Sequence, residues 1–181
     1  MRSKHITLLA VAIHGLVLAQ VAPSQSAGSA TGTLTVGSSK FKLAHAYAFP
    51  DKANADPAQE TYRIVVTDRP LSAAVTKLAV SAGANEEDRQ QLAVELADQK
   101  IHGVEMVVGA DKRVTRVNIY SPDAAMGLML LTPGQFEATA FDAQRIAGKV
   151  FTAAPIKDSR IGKAIQYEAT FSATVTRSTK K

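Results

Sequence analysis

The sequence predicts an α+β fold: a mainly antiparallel β-sheet or sandwich of about eight strands, with two helices inserted mid-chain. Three observations predict it. Apolar residues recur at every second position through most of the chain. The period lengthens to three and four only between Thr67 and Ile101. The closing run has Ile165, Tyr167, Ala169, Phe171, Ala173 and Val175 on one face, with Gln166, Glu168, Thr170, Ser172 and Thr174 on the other. One apolar face and one wet face are the mark of an antiparallel sheet.

The elements follow in order. Met1-Arg2-Ser3-Lys4-His5 and the apolar run Ile6 to Ala19 have the basic start, short apolar stretch and polar exit of a signal peptide, residues 1–19. Gln20 to Thr31 is small, polar and without period, a flexible leader, so ordered chain is expected from Gly32. Thr33 to Val36 alternates as a strand, Gly37-Ser38-Ser39 supplies a turn, and "FKLAHAYAF" follows as the hairpin partner. Strict alternation there puts Phe41, Leu43, His45, Tyr47 and Phe49 on one face and Lys42, Ala44, Ala46 and Ala48 on the other.

Pro50 to Glu60 interrupts the pattern, and "TYRIVVT" resumes it as a strand. Pro70 opens a helical segment carrying Leu71, Val75 and Leu78, with Thr67, Asp68 or Ser72 as its cap and Gly83 as its stop. Asn85 followed by Glu86-Glu87-Asp88 starts a second helix, with Leu92, Ala93, Leu96 and Ala97 as its apolar stripe. "IHGVEMVV" and "RVTRVNIY" flank Gly109-Ala110-Asp111-Lys112 as a hairpin. Leu128 to Leu131, "QFEATAF" and "RIAGKVFTA" continue the strands, with Asp142-Ala143-Gln144 as a tight turn and "PIKDSRIG" as a longer loop before the last strand. Residues 32–177 therefore make one domain, and 178–181 a disordered basic tail.

Composition narrows the chemistry. The chain has no cysteine, which removes disulfides, thiolate nucleophiles and thiolate metal ligands. The formal charge is +5, and the surplus sits late: Phe141 to Lys181 carries 8 basic residues against 3 acidic. Arg145, Lys149, Lys157, Arg160 and Lys163 are the candidates for meeting an anionic surface. These cations are not interleaved with exposed aromatics, so nucleic acid is not an expected partner.

Two histidines follow the apolar leader, His45 and His102. With Asp68 they are the candidate ligand residues, or else polar members of the core. Alternation turns Glu105 away from His102, against a shared metal site, and no metal or other cofactor is expected. No Gly-x-Ser-x-Gly elbow, Gly-x-Gly-x-x-Gly loop or calcium loop occurs.

Taken in order, "KLAHAYAF", "VVTDRPL", "KIHGVEMVV", "VNIYSP", "RIAGKVFT" and "YEATFSATV" resemble segments of a group of uncharacterised exported bacterial proteins, over most of Gly32 to Arg177. The resemblance implies an exported, mainly β module and brings no activity, cofactor or catalytic residue. The expectation is a periplasmic or secreted module, without a transmembrane segment once the signal is cleaved, that binds an envelope protein or polymer and is not an enzyme. A carrier of a small apolar or acyl ligand, and a metal-assisted hydrolase using His45 and His102, are the alternatives.

Overall fold

The computed structural model describes residues 27–51, 60–82, 86–122, 128–130 and 134–177. The segment expected to be a signal peptide, most of the expected leader, most of the Pro50 to Glu60 interruption, Gly83, Asn85, Leu131 and the expected basic tail lie outside them.

The strands form one antiparallel sheet curled into a half-barrel. In chain order they are β1 (Gly28–Val36), β2 (Ser39–Asp51), β3 (Thr61–Thr67), β4 (Gly103–Val108), β5 (Val114–Tyr120), β6 (Leu128–Met129), β7 (Gln135–Phe141), β8 (Arg145–Phe151), β9 (Ile156–Asp158) and β10 (Lys163–Thr174). Helices α1 (Ala73–Ser81) and α2 (Glu86–Asp98) fall between β3 and β4. Across the sheet the order is β6-β5-β4-β3-β2-β1-β10-β8-β7, with the short β9 paired to β10. The α+β class and the two inserted helices agree with the sequence, and of the expected sheet or sandwich the structure has a single curled sheet.

Curling gives the sheet an inner and an outer face. Leu34, Ile64, Val104, Met106, Val117, Ile119, Ile146, Tyr167 and Phe171 belong to the inner core. All six apolar residues expected on one face of the last strand are there. The helices cover the outer face of β2 to β5, where Tyr47, Phe49, Val65 and Tyr120 pack with Val75, Ala79, Leu92 and Leu96. Covered on both sides, β3 and β4 are buried at every position. Among the described residues the outer face beyond β2 carries no helix and is mostly polar.

Two expectations are corrected. Strand β1 begins at Gly28 rather than near Gly32, because its backbone is paired on both sides, Ser29 opposite Ser172 of β10 and opposite His45 of β2. The row Phe41, Leu43, His45, Tyr47, Phe49 is split between faces. Phe41 and Leu43 join the inner core together with Ala46 and Ala48, while Tyr47 and Phe49 join the helix-covered core. The physical reason is a β-bulge: between the pairs Ser29 with His45 and Gly32 with Leu43, β1 has two residues where β2 has one. Facing then slips by one residue, which a strict period of two does not anticipate.

The ends of the elements follow local chemistry. Ser72 caps α1, its Oγ accepting from the Val75 amide at 3.3 Å. Gly37 turns the β1–β2 hairpin with φ of 61°, a region that suits glycine. Asp142 Oδ1 accepts from the amides of Gln144 and Arg145, both at 2.8 Å, and fixes the β7–β8 turn. Among the described residues no helix is long and apolar enough to cross a membrane.

Candidate functional site

Of the three residues singled out as ligand or core-polar candidates, the fold brings two together. Asp68 follows β3 and His102 precedes β4, so the antiparallel pairing of these strands sets them side by side. Asp68 Oδ1 accepts from the His102 amide at 2.8 Å, its Oδ2 lies 3.0 Å from His102 Nδ1, and its own amide donates to the His102 carbonyl at 2.9 Å. The imidazole stacks on Phe41 with ring centroids 3.6 Å apart. Both side chains are mostly buried, and Arg69 Nε stands 4.0 Å from Asp68 Oδ2. A carboxylate at Nδ1 holds the ring in one orientation and leaves Nε2 as the nitrogen able to meet another group.

His45 is elsewhere. It pairs with Thr67, which pairs in turn with Gly103, so these three share the outer face and His102, one residue before Gly103, is turned to the inner one. Among the described residues no group of three histidine or carboxylate side chains is placed to hold a metal ion.

The basic candidates of the C-terminal third are largely engaged. Lys149 Nζ lies 2.8 Å from Glu168 Oε1, and the bond from Glu168 raises the lysine pKa. Arg160 pairs with Asp158 through its Nε and Nη2, donates to the Met129 carbonyl, and holds the Asp158 carboxyl below its usual range. Arg145 Nε donates to Ser172 Oγ at 3.1 Å. Lys157 and Lys163 are exposed. The candidates are thus distributed over β8, β9, β10 and the turn between the last two, and Lys149 and Arg160 stand beside carboxylates of their own.

The uncovered outer face holds a concavity of ≈ 360 Å³ over β1 and β10, lined among others by Thr31, Thr33, Thr35, Lys40, Gln166 and Glu168. The lining follows from alternation: inward Leu34 and Val36 turn Thr33 and Thr35 outward, and inward Ile165 and Tyr167 do the same for Gln166 and Glu168. The antiparallel register sets Thr33 opposite Glu168 and Thr35 opposite both Gln166 and Lys40. Hydroxyls, an amide, an ammonium and a carboxylate thus supply hydrogen-bond donors and acceptors in one shallow site. The last-strand pattern already had Gln166 and Glu168 on a wet face, whereas Thr31 was expected in the flexible leader; their meeting depends on β1 pairing with β10, which no local pattern reveals.

A second polar group lies beneath the helices and was not anticipated as a site. Arg63 on β3 and Glu105 on β4 are almost wholly buried, with Nη1 and Oε2 3.4 Å apart. Arg63 Nη2 also donates to the Ala79 carbonyl in α1. Glu105 accepts from Asn118 Nδ2 at 2.8 Å and from the Tyr120 hydroxyl at 3.1 Å. Burial, reinforced by the Glu105 charge, raises the Tyr120 pKa well above its ordinary value.

No family model matches this chain, and no curated protein or solved structure shows significant similarity to it.

Proposed function

We propose that this chain is an exported, non-enzymatic module of the cell envelope, periplasmic or secreted through its N-terminal signal, that holds a polar polymer against the outer face of β1 and β10. The observation that carries the reading is the concavity lined among others by Thr31, Thr33, Thr35, Lys40, Gln166 and Glu168, on the half of the sheet away from α1 and α2. Paired donors and acceptors of both charge signs suit the hydroxyl and acetamido groups of a glycan better than a polyanion, because Lys149 beside this face is already matched by Glu168. Tyr167 lines the concavity but belongs to the inner core, so among the described lining residues no aromatic ring serves as a platform and each sugar is held weakly. Retention on a long polymer then comes from many repeated contacts.

The test is co-sedimentation of the purified mature chain with an insoluble polymer of N-acetylated amino sugars, alongside NMR titration with a soluble oligosaccharide of the same kind. The expected results are retention on the polymer, shifts confined to Thr31, Thr33, Thr35, Lys40 and Gln166, and loss of both in the variant Thr33→Val/Lys40→Ala. Binding unchanged in that variant, or no binding, overturns the proposal.

A further inference from the structure

The polar network under the helices contains more cation than its carboxylate can balance. Glu105 is the acid that Arg63 and Arg116 share: Arg63 Nη1 stands 3.4 Å from Oε2, and Arg116 Nη2 4.0 Å from Oε1. Both carboxylate oxygens are already occupied by Asn118 and Tyr120. Among the described residues, Arg63 Nε, and Nε and Nη2 of Arg116, are buried without a hydrogen-bond partner. Guanidinium groups cannot shed their charge by losing a proton, so each such donor retains its full demand for a partner.

A third arginine stands on α2, the helix packed over this part of the sheet. Arg89 precedes Leu92 and Leu96 by three and seven residues, which sets it on the stripe of α2 that faces the sheet. Its Nε is 3.1 Å from the exposed Glu86, while its Nη1 is buried without an acceptor. Helix α2 leads through Ile101 into the start of β4, whose Gly103 pairs with Tyr120 at the end of β5, so α2 and β5 run towards the same end of the sheet. Arg89 lies about 10 Å before Leu96 along the helix, and Arg116 about 13 Å before Tyr120 along the strand. Arg89 thus stands on the sheet-facing side of α2 and Arg116 on the outer face of β5, two surfaces that pack on each other.

We infer that Arg63, Arg116 and Arg89 form a receptor for a small oxyanion, a phosphate, sulfate or carboxylate group, between α2 and the outer face of β3 to β5. An oxyanion there satisfies the orphaned N–H donors and balances the charge that Glu105 leaves over. Planar guanidinium forks match the spacing of its oxygens. The concavity over β1 and β10 lies on a different part of the sheet, so this site stands or falls independently of glycan binding.

The experiment is thermal unfolding of the mature chain at constant ionic strength, with chloride replaced in turn by phosphate, sulfate and acetate, together with ³¹P NMR linewidths of phosphate. The expected result is a rise in Tm of about 5 °C at an anion concentration a hundredfold above Kd, and broadened phosphate resonances. Arg116→Gln, at a partly exposed position, should remove both effects. Arg113→Gln, which makes the same charge change on an exposed loop residue, should keep both. The three anions distinguish the source of the oxyanion. Equal responses in the parent and Arg116→Gln, or no response to any of the three, overturn the inference.

Discussion

Single residues show where burial sets high stakes. Glu105→Gln keeps the shape of the side chain and leaves two neighbouring guanidinium groups with no carboxylate. It should cost about 3 kcal/mol in urea-induced unfolding. The double variant Arg63→Met/Glu105→Gln should lose less than the two single changes summed, since each partner is harmful mainly when left alone. His102→Ala removes the Asp68 contact and the stacked Phe41 ring, for a loss of about 1–2 kcal/mol by the same measurement. The sequence carried part of this. His102 reads as a ligand candidate or as a polar residue satisfied at the core edge by a backbone or carboxylate partner, and in the structure Asp68 lies against its ring. Arg63 is not marked out by any motif, although its strand, "TYRIVVT", is mostly apolar around it, which suits a position buried on both faces. The missing quantity was its partner, because β3 and β4 are separated in sequence by two helices.

At the scale of elements, close approach and register decide what can change. A Cβ at Gly32 would collide with the Glu168 carbonyl oxygen and the Ala169 Cα of β10, so Gly32→Val should push β1 off its neighbour and lower the yield of folded protein. Recovery of a native-like Tm in that variant would refute the close packing. The ends of β3 and β10 are tied by Arg177, which donates to both oxygens of Glu60 at 2.8 and 3.1 Å and holds that carboxyl below its usual range. With the folded pKa depressed, the contribution is present above the unfolded value, about 4.3, and fades as pH falls through the folded one. Arg177→Ala should therefore cost about 0.5 kcal/mol near neutrality, with the difference from the parent vanishing in acid. Most element boundaries were legible: β3, β7 and the turn after it fall where alternation and turn residues put them. The facing of β2 was not, since the bulge that shifts it arises from the meeting of two strands.

Over the whole molecule, all four tyrosines resist ionisation. Burial raises the pKa of Tyr47, Tyr120 and Tyr167, and burial with the Glu60 bond pushes Tyr62 up to about 12. Raised folded values mean that the fold retains these protons and loses stability as pH climbs above about 10, the unfolded value. An ultraviolet titration at pH 10.5 should show the folded chain with less than half the tyrosinate absorbance of the denatured chain, and then a cooperative jump as it unfolds. Equal absorbance in the two states would contradict the burial of these rings. The pairing of β1 with β10 also has a consequence in time. The first strand lies mid-sheet, between a neighbour close in sequence and one from the far end of the chain, Ser29 facing Ser172. A nascent chain can zip β1 to β2 at once, yet β1 keeps a raw hydrogen-bonding edge until β10 has been made. Closure across so long a loop is slow, and a fragment ending before Lys163 would display that edge to its neighbours and aggregate.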